Sequence, residues 1–335
     1  MRKLSICIVS AVMLLILSGC KGKISNPVMP APLQKGDKVA VIAPGFHLDD
    51  SLVMLGCQRL KEYGFEPVLG KNALKRYPGV DSLYNYAGIT EERKEDLLWA
   101  LNDEQIKGII CIRGGYGSIH LLSKELVEAF RKHPKWLVGY SDITTLHLAS
   151  VRSGVMSMHG NMCSDFALKG MEDEGNIAVL EALKGNFPQY ELPADSLNIP
   201  GEASGMLVGG NLSNIAPILG TEYDCFKDRD CILFLEEVRE AMYSADRYLS
   251  AILLHHGKRL KGVIIGDFTN CYHEIGFEGG IYGMLHKRLK DLGIPVCFGF
   301  HGGHGQLNMP LVEGARVQLK VTGSGASINM ALPKQ

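Results

Sequence analysis

Neither sign of charge prevails in this 335-residue sequence: 35 Lys and Arg stand against 36 Asp and Glu, a formal charge of -1. No bulk field is left to hold a polyanion, which excludes nucleic-acid binding by the chain as a whole. Tryptophan is scarce, with Trp99 and Trp136 alone. Of the nine cysteines, seven follow Cys7 and Cys20, an odd number with no Cys-x-x-Cys pair among them. That argues against a disulfide framework or a zinc knuckle, and Cys111, Cys231 and Cys297 sit in apolar runs as buried thiols would. Spacing alone does not decide whether Cys225 and Cys231 pair. No repeat of roughly 20 to 50 residues occurs, so solenoids and propellers are excluded. The phosphate-binding Gly-Lys-Ser/Thr and the dinucleotide Gly-x-Gly-x-x-Gly are both missing. What is present is 39 glycines, an apolar share of 46% and a charged share of 21%, the mix of a globular α/β protein long enough for two domains.

The one long uncharged run lies at the start, where Arg2 and Lys3 precede residues 4–17 and the run ends in Leu17-Ser18-Gly19-Cys20. It is shorter than the ~20 residues a spanning helix needs, which favours a cleaved export signal over a permanent anchor. With small residues just before a cysteine, the segment resembles a bacterial lipoprotein signal. The signal spans residues 1–20, with cleavage just before Cys20, which would become the lipidated first residue of the mature chain, and residues 21–33, with prolines and no periodicity, read as a tether.

From residue 34 short apolar runs alternate with amphipathic ones. Strands are expected at 39–43, 67–69, 108–112, 136–140 and 155–158, and helices at 52–63, 91–101, 119–133 and 143–151. This order requires a mostly parallel sheet flanked by helices, an N-terminal domain over residues 34–164. Residues 165–200 are broken by glycine, proline and acidic residues and read as a crossover. Over 201–335, strands at 203–208, 231–235, 263–268, 296–300, 315–321 and 327–332, with helices at 211–219, 245–256 and 281–292, indicate a smaller, β-rich α/β domain.

In open parallel sheets ligands sit beyond the carboxyl ends of the strands. The run 136–140 ends in Ser141-Asp142, a serine on a sharp strand-to-helix turn that suits either a nucleophile or a helix cap. The run 108–112 ends in Arg113-Gly114-Gly115-Tyr116-Gly117, whose glycines let backbone N–H groups approach an oxyanion. Arg113 suits a substrate carboxylate or a buried ion pair equally. Glu236-Glu237 closes the run 231–235, and His301-Gly302-Gly303-His304 follows 296–300. The two histidines alone do not make a metal site, because no further ligands accompany them. Ser, Glu and His thus stand at three strand ends in the order a serine hydrolase uses, and such a serine needs a base whose tautomer is fixed by an acid.

Together, Gly36-Asp37-Lys38-Val39-Ala40-Val41-Ile42-Ala43-Pro44, Arg113-Gly114-Gly115-Tyr116-Gly117, Gly139-Tyr140-Ser141-Asp142, His159-Gly160, Gly209-Gly210-Asn211-Leu212-Ser213, Leu233-Phe234-Leu235-Glu236 and Gly303-His304 resemble the LD-carboxypeptidases, the serine peptidase family that includes the microcin C immunity proteins. The resemblance implies two domains with the active site in the cleft between them. Ser141 would be the nucleophile, His304 the base and acid, and Glu236 the orienting carboxylate, with Glu237 and His301 as fallbacks. The N–H groups of Gly115 and Asp142 would form the oxyanion hole. Arg113, Tyr116, His159 and Asn211 would bind substrate. The implied reaction is removal of a terminal D-alanine from murein tetrapeptides through an acyl-enzyme, without metal or organic cofactor, in a homodimer. The export signal sets this chain apart from cytoplasmic members and implies a membrane-anchored lipoprotein facing the periplasm or cell surface. The stretch 305–311 after the histidine is also shorter than in familiar members. Alternatives are a microcin-immunity-like hydrolase of aminoacyl-nucleotide analogues, disfavoured because neither tryptophan lies in the crossover to stack a base, and a murein-peptide-binding lipoprotein without turnover.

Overall fold

The computed structural model describes residues 27–78, 85–272 and 279–332; the signal, Cys20 and residues 21–26 of the tether lie outside them. In chain order the elements of the first half are β1 (Lys38–Ile42), α1 (Asp50–Tyr63), β2 (Glu66–Leu69), α2 (Thr90–Asn102), β3 (Ile106–Cys111), α3 (Lys124–Lys132), β4 (Trp136–Gly139), α4 (Thr144–Ser153), β5 (Ser157–His159), α5 (Cys163–Lys169) and α6 (Glu174–Leu183). They are followed by β6 (Tyr190–Pro193), β7 (Gly201–Asn211), α7 (Leu212–Ile215), β8 (Cys231–Val238), α8 (Met242–His256), β9 (Leu260–Thr269), α9 (Gly280–Leu289), β10 (Val296–Cys297), β11 (Leu311–Glu313), β12 (Arg316–Thr322) and β13 (Gly325–Ala331).

Among the described residues the strands form two sheets, ordered β11-β5-β4-β3-β1-β2 and β10-β9-β8-β7-β12-β13-β6. The first is parallel from β5 to β2, as its unbroken apolar runs require, and has one antiparallel edge, β11. The second is parallel from β10 to β7 and antiparallel from β12 to β6. The α/β architecture and the β-rich second half are as the sequence indicates.

Several local expectations change. The helix expected over 119–133 begins with a separate 3-10 turn, because the Ser123 side chain accepts from Leu126 N and starts α3 afresh. Pro217 cuts the helix expected over 211–219 to α7 and a 3-10 turn. The strand expected at 296–300 stops at Cys297, and the chain bends at Gly299, whose φ is 80°. Residues 165–200 are more than a crossover: they carry most of α5, then α6 and the edge strand β6, which pairs with β13. The chain also returns late to the first sheet, where β11 pairs with β5. All the described body cysteines, Cys225 and Cys231 included, are free thiols.

One apolar cluster joins the sheets, with Val41, Val138 and Met158 from the first and Leu207, Ile232 and Phe234 from the second. Close approach of the two halves is possible because Gly210 lacks a side chain: a Cβ there would lie 2.5 Å from Thr144 Oγ1 at the start of α4. Asn211 N then donates to that same Thr144 Oγ1 at 2.9 Å, which fixes the end of β7 against the helix that follows Ser141.

Candidate active site

Ser141 is separated from the end of β4 by Tyr140 alone, and its φ of 63° lies in the left-handed region, which costs a non-glycine residue about 1 kcal/mol. Gly139 makes the turn possible, since a Cβ there would sit 2.8 Å from Ile143. Gly114 does the same from the facing loop: its Cβ would be 2.9 Å from Ser141 Cβ and 3.1 Å from Oγ. The glycine-rich loop therefore lies against the serine, with Gly115 beside it at φ 106°.

Two buried charges hold that loop. Asp142 is fully buried; its Oδ2 accepts from Ser118 N at 2.9 Å and its carbonyl accepts from Ser118 Oγ. Burial pushes its carboxyl up to about 6 despite those bonds and the nearby Arg93. Arg93, from the first turn of α2, donates through Nη1 to the carbonyls of Pro44 and Gly117, at 2.5 and 2.9 Å, and stacks over the Tyr86 ring at 4.7 Å. Sequence inspection missed Arg93, because nothing local distinguishes it from the exposed charges around it.

The second sheet supplies the other half. Glu236 is fully buried at the end of β8, and His304 Nδ1–H donates to its Oε2 at 2.6 Å. Gly303 allows this contact, since a Cβ there would collide with the Glu236 side chain. The β8–β9 register shifts between Leu235 and Glu237, and this irregularity lets two successive glutamates serve different partners. Glu237 turns to Asn211 Nδ2 and the Ser213 N–H, both at 2.8 Å, and burial pushes it up to about 7. It makes no bond to His304 among the described residues. His301 is exposed, and its carbonyl accepts from Met309 N.

Burial opposes charge on His304 more than any other single influence. The adjacent Glu236 charge and its hydrogen bond, aided by Glu237 and Asp165, outweigh it, so His304 is raised above the ordinary histidine value. The loop after His304 is pinned from beneath: buried Asn308 accepts from Gly303 N at 2.8 Å and donates to Asn161 Oδ1 at 3.0 Å. Asn308 and Asn161 carried no signal in the sequence.

The Tyr140 and His304 ring centroids are 5.1 Å apart, so the imidazole from the second sheet stands beside the residue preceding Ser141. Among the described residues no hydrogen bond runs from Ser141 Oγ; catalytic bonds of this kind commonly tighten only when substrate is bound. Arg113 is half-buried and has no ion pair among the described residues, only a long 3.5 Å contact to the His47 carbonyl. Tyr116 is 46% exposed beside His120 and Tyr86. His159 is fully buried edge-on to Phe234 at 4.9 Å, and Asn211 is buried with its amide engaged by Glu237, Ser213 and Asn214. No cluster of three or more His, Cys, Asp or Glu able to hold a metal occurs among the described residues.

A buried carboxylate–imidazole pair facing a strained serine turn across two α/β sheets is the architecture of a serine hydrolase. Residues 39–160 match the LD-carboxypeptidase N-terminal domain and residues 204–319 the LD-carboxypeptidase C-terminal domain. The chain belongs to the LD-carboxypeptidase family, and is an enzyme of its serine type. It is 32% identical over 316 residues to a probable murein peptide carboxypeptidase of Bacillus subtilis, covering 92% of this chain and 96% of the relative. It is 31% identical over 281 residues to the murein tetrapeptide carboxypeptidase of Pseudomonas aeruginosa, covering 81% and 89%. Among solved structures, muramoyltetrapeptide carboxypeptidase from Oxalobacter formigenes superposes with a TM-score of 0.77 at 26% identity, covering 89% of this chain and 100% of that one. An MccF-like protein from Bacillus anthracis gives 0.77 at 26% identity, covering 90% and 98%.

Proposed function

We propose that this chain removes the terminal D-alanine of murein tetrapeptides by acyl transfer to Ser141. The observation that carries the proposal is the 2.6 Å Glu236–His304 bond next to Tyr140-Ser141, because it fixes the proton on Nδ1 and leaves Nε2 free to act as base. Ser141 Oγ attacks the scissile carbonyl and its proton passes to His304 Nε2. The oxyanion is received by the N–H groups of Gly115 and Asp142, in a loop that Arg93 and the Asp142 side chain hold fixed. His304 then returns the proton to the leaving amine as the C–N bond breaks, releasing D-alanine. Water attacks the ester and gives a proton to His304, which passes it to Ser141 Oγ as the ester C–O bond breaks, freeing the tripeptide and restoring Ser141. The Arg113 guanidinium, without an ion pair among the described residues, is suited to the substrate's terminal carboxylate, which would confine the enzyme to chain ends.

The relatives named for murein peptides favour this substrate over aminoacyl-nucleotide analogues. Export and lipidation at Cys20, and with them a membrane-anchored enzyme facing the periplasm or cell surface, belong to the same proposal; the homodimer is checked by light scattering. The deciding experiment is mass spectrometry of murein tri-, tetra- and pentapeptides incubated with the protein and with Ser141→Ala. Loss of one alanine from the tetrapeptide alone, absent in the variant, supports the proposal; a folded protein that leaves all three intact refutes it.

A further inference from the structure

The end of the molecule opposite the site carries an unexplained basic surface. Arg229, Arg259 and Arg316 surround a cavity of about 420 Å³ at the entrances to β8, β9 and β12, and Gly314 and Ser204 also line it. None of the three arginines makes an ion pair among the described residues. The two carboxylates in the lining are already engaged, Asp228 with Arg152 at 3.8 Å and Asp230 with Lys261 at 3.5 Å. Ser204 Oγ is buried without a hydrogen-bond partner among the described residues. Arg229 is half-buried and held by a 3.2 Å contact from Nη1 to Met206 Sδ. Three arginines without ion pairs around one cavity, Arg229 held in place and Arg259 and Arg316 exposed beside it, suit a phosphate group.

The chain's entry point gives that phosphate a source. Pro27, the first described residue, packs against Gly314 of the same lining: a Cβ on Gly314 would lie 3.3 Å from the proline ring. Val28 N then donates to Gly154 O at 2.7 Å, which fixes the entry at the base of the first sheet. Seven residue steps separate Pro27 from Cys20, a span of at most about 25 Å, and two of the residues crossed are Lys21 and Lys23. A lipid on Cys20 would bring this face to the bilayer.

We propose that the surface formed by Arg229, Arg259 and Arg316 docks on the anionic phospholipid headgroups of the membrane that holds the chain. The proposal rests on the export and lipidation reading above. Docked in this way, the enzyme presents its cleft away from the membrane. Cys231 begins β8 at the base and Glu236 lies five residues on, a separation of roughly 16 Å along the strand. Substrate would then enter from the wall side without crossing the protein–lipid contact.

The test uses the chain from Lys21, which keeps every described element, with vesicles of phosphatidylcholine containing about one third phosphatidylglycerol or none. Binding to the anionic vesicles alone is expected. Each arginine is worth about fivefold in partitioning, so Arg229→Gln/Arg259→Gln/Arg316→Gln should weaken binding by roughly 100-fold while leaving tetrapeptide hydrolysis and the unfolding midpoint unchanged. Asp228→Asn/Asp230→Asn should strengthen it severalfold. Equal binding to neutral vesicles, undiminished binding by the triple variant, or release by millimolar inorganic phosphate would each overturn the proposal, the last by identifying a small-anion site. Fatty-acid labelling of Cys20 in the producing cell reports lipidation separately, so failure of the anchor and failure of the docking surface appear in different assays.

Discussion

Replacing Glu236 with glutamine removes one charge and little volume from a fully buried position, so the consequences fall on His304. Two effects follow from the geometry. The carboxylate accepts from Nδ1 and fixes the tautomer, whereas an amide turned the other way donates to Nδ1 and puts the proton on Nε2, where the serine's proton must go. Loss of the correct tautomer and of the charge that stabilises imidazolium is worth about 10³–10⁴ in rate in serine hydrolases, or about 4 to 5.5 kcal/mol. The second effect is a shift in pH. In the native protein the Glu236 charge and hydrogen bond hold His304 above its ordinary value against the opposing pull of burial. Without them burial dominates and the imidazole loses its proton at lower pH. The base must be unprotonated to act, so the acidic limb of kcat/KM in Glu236→Gln should move to lower pH while the plateau falls. Profiles between about pH 5 and 9, at temperatures where both proteins are folded, measure both. A limb that stays in place or moves upward, or a rate loss below about tenfold, would refute the assignment of Glu236 as the partner of His304.

Ser141→Ala and Ser141→Gly should both abolish turnover. Glycine should leave the protein about 1 kcal/mol more stable than alanine in denaturant melts, because only alanine keeps the left-handed strain. Gly114→Ala places a methyl 2.9 Å from Ser141 Cβ and should lower kcat/KM by at least ~100-fold in a protein that still melts cooperatively. Arg113→Gln should raise KM for the tetrapeptide by roughly 10- to 100-fold, and a C-terminally amidated substrate should lose little between wild type and variant. Burial pushes fully buried Glu313 up to about 8, so the folded state retains a proton that the unfolded chain releases above its ordinary carboxylate value. Its contribution is therefore present at low pH and is lost as pH rises toward about 8, at up to about 1.4 kcal/mol per pH unit; Glu313→Gln should flatten that decline in thermal melts between about pH 5 and 8.

The features that could be read from sequence were local ones. An apolar run that ends in a polar residue marks a strand end whether or not its partners are known, so Ser141, Glu236 and His304 stood out. Glu236 could not be separated from Glu237 in the same way, because their directions depend on a register shift against β9 that lies 30 residues further on. Arg93 and Asn308 escaped notice because an arginine in a helical first turn and an asparagine in a loop are ordinary until folding buries them. The late return of β11 to the first sheet was equally hidden: Leu311, Val312 and Glu313 make too short a run to show any period, and only pairing with β5 defines them.

That return explains how a site divided between two sheets can be rigid. Ser141 is set by the first sheet and Glu236 by the second, so the proposed catalysis would depend on the sheets keeping their spacing to within a fraction of an ångström. Three contacts fix it independently. The β11 strand ties the segment after His304 into the first sheet, and Glu313 in it accepts from Gly209 N at 2.9 Å in β7 of the second. Thr144, three residues after Ser141, receives the Asn211 N–H. Beneath the histidine loop, Asn308 bonds to Asn161, which follows β5. Each contact links the chain beside one member of the proposed triad to the half that carries another. Buried polar groups cost stability when left unpaired, as one oxygen of Glu313 is among the described residues, but the bonds made across the seam leave few alternative arrangements of the two halves. The apolar cluster supplies most of the adhesion, and this set of polar bonds supplies the register between the half that carries Ser141 and the half that carries Glu236 and His304.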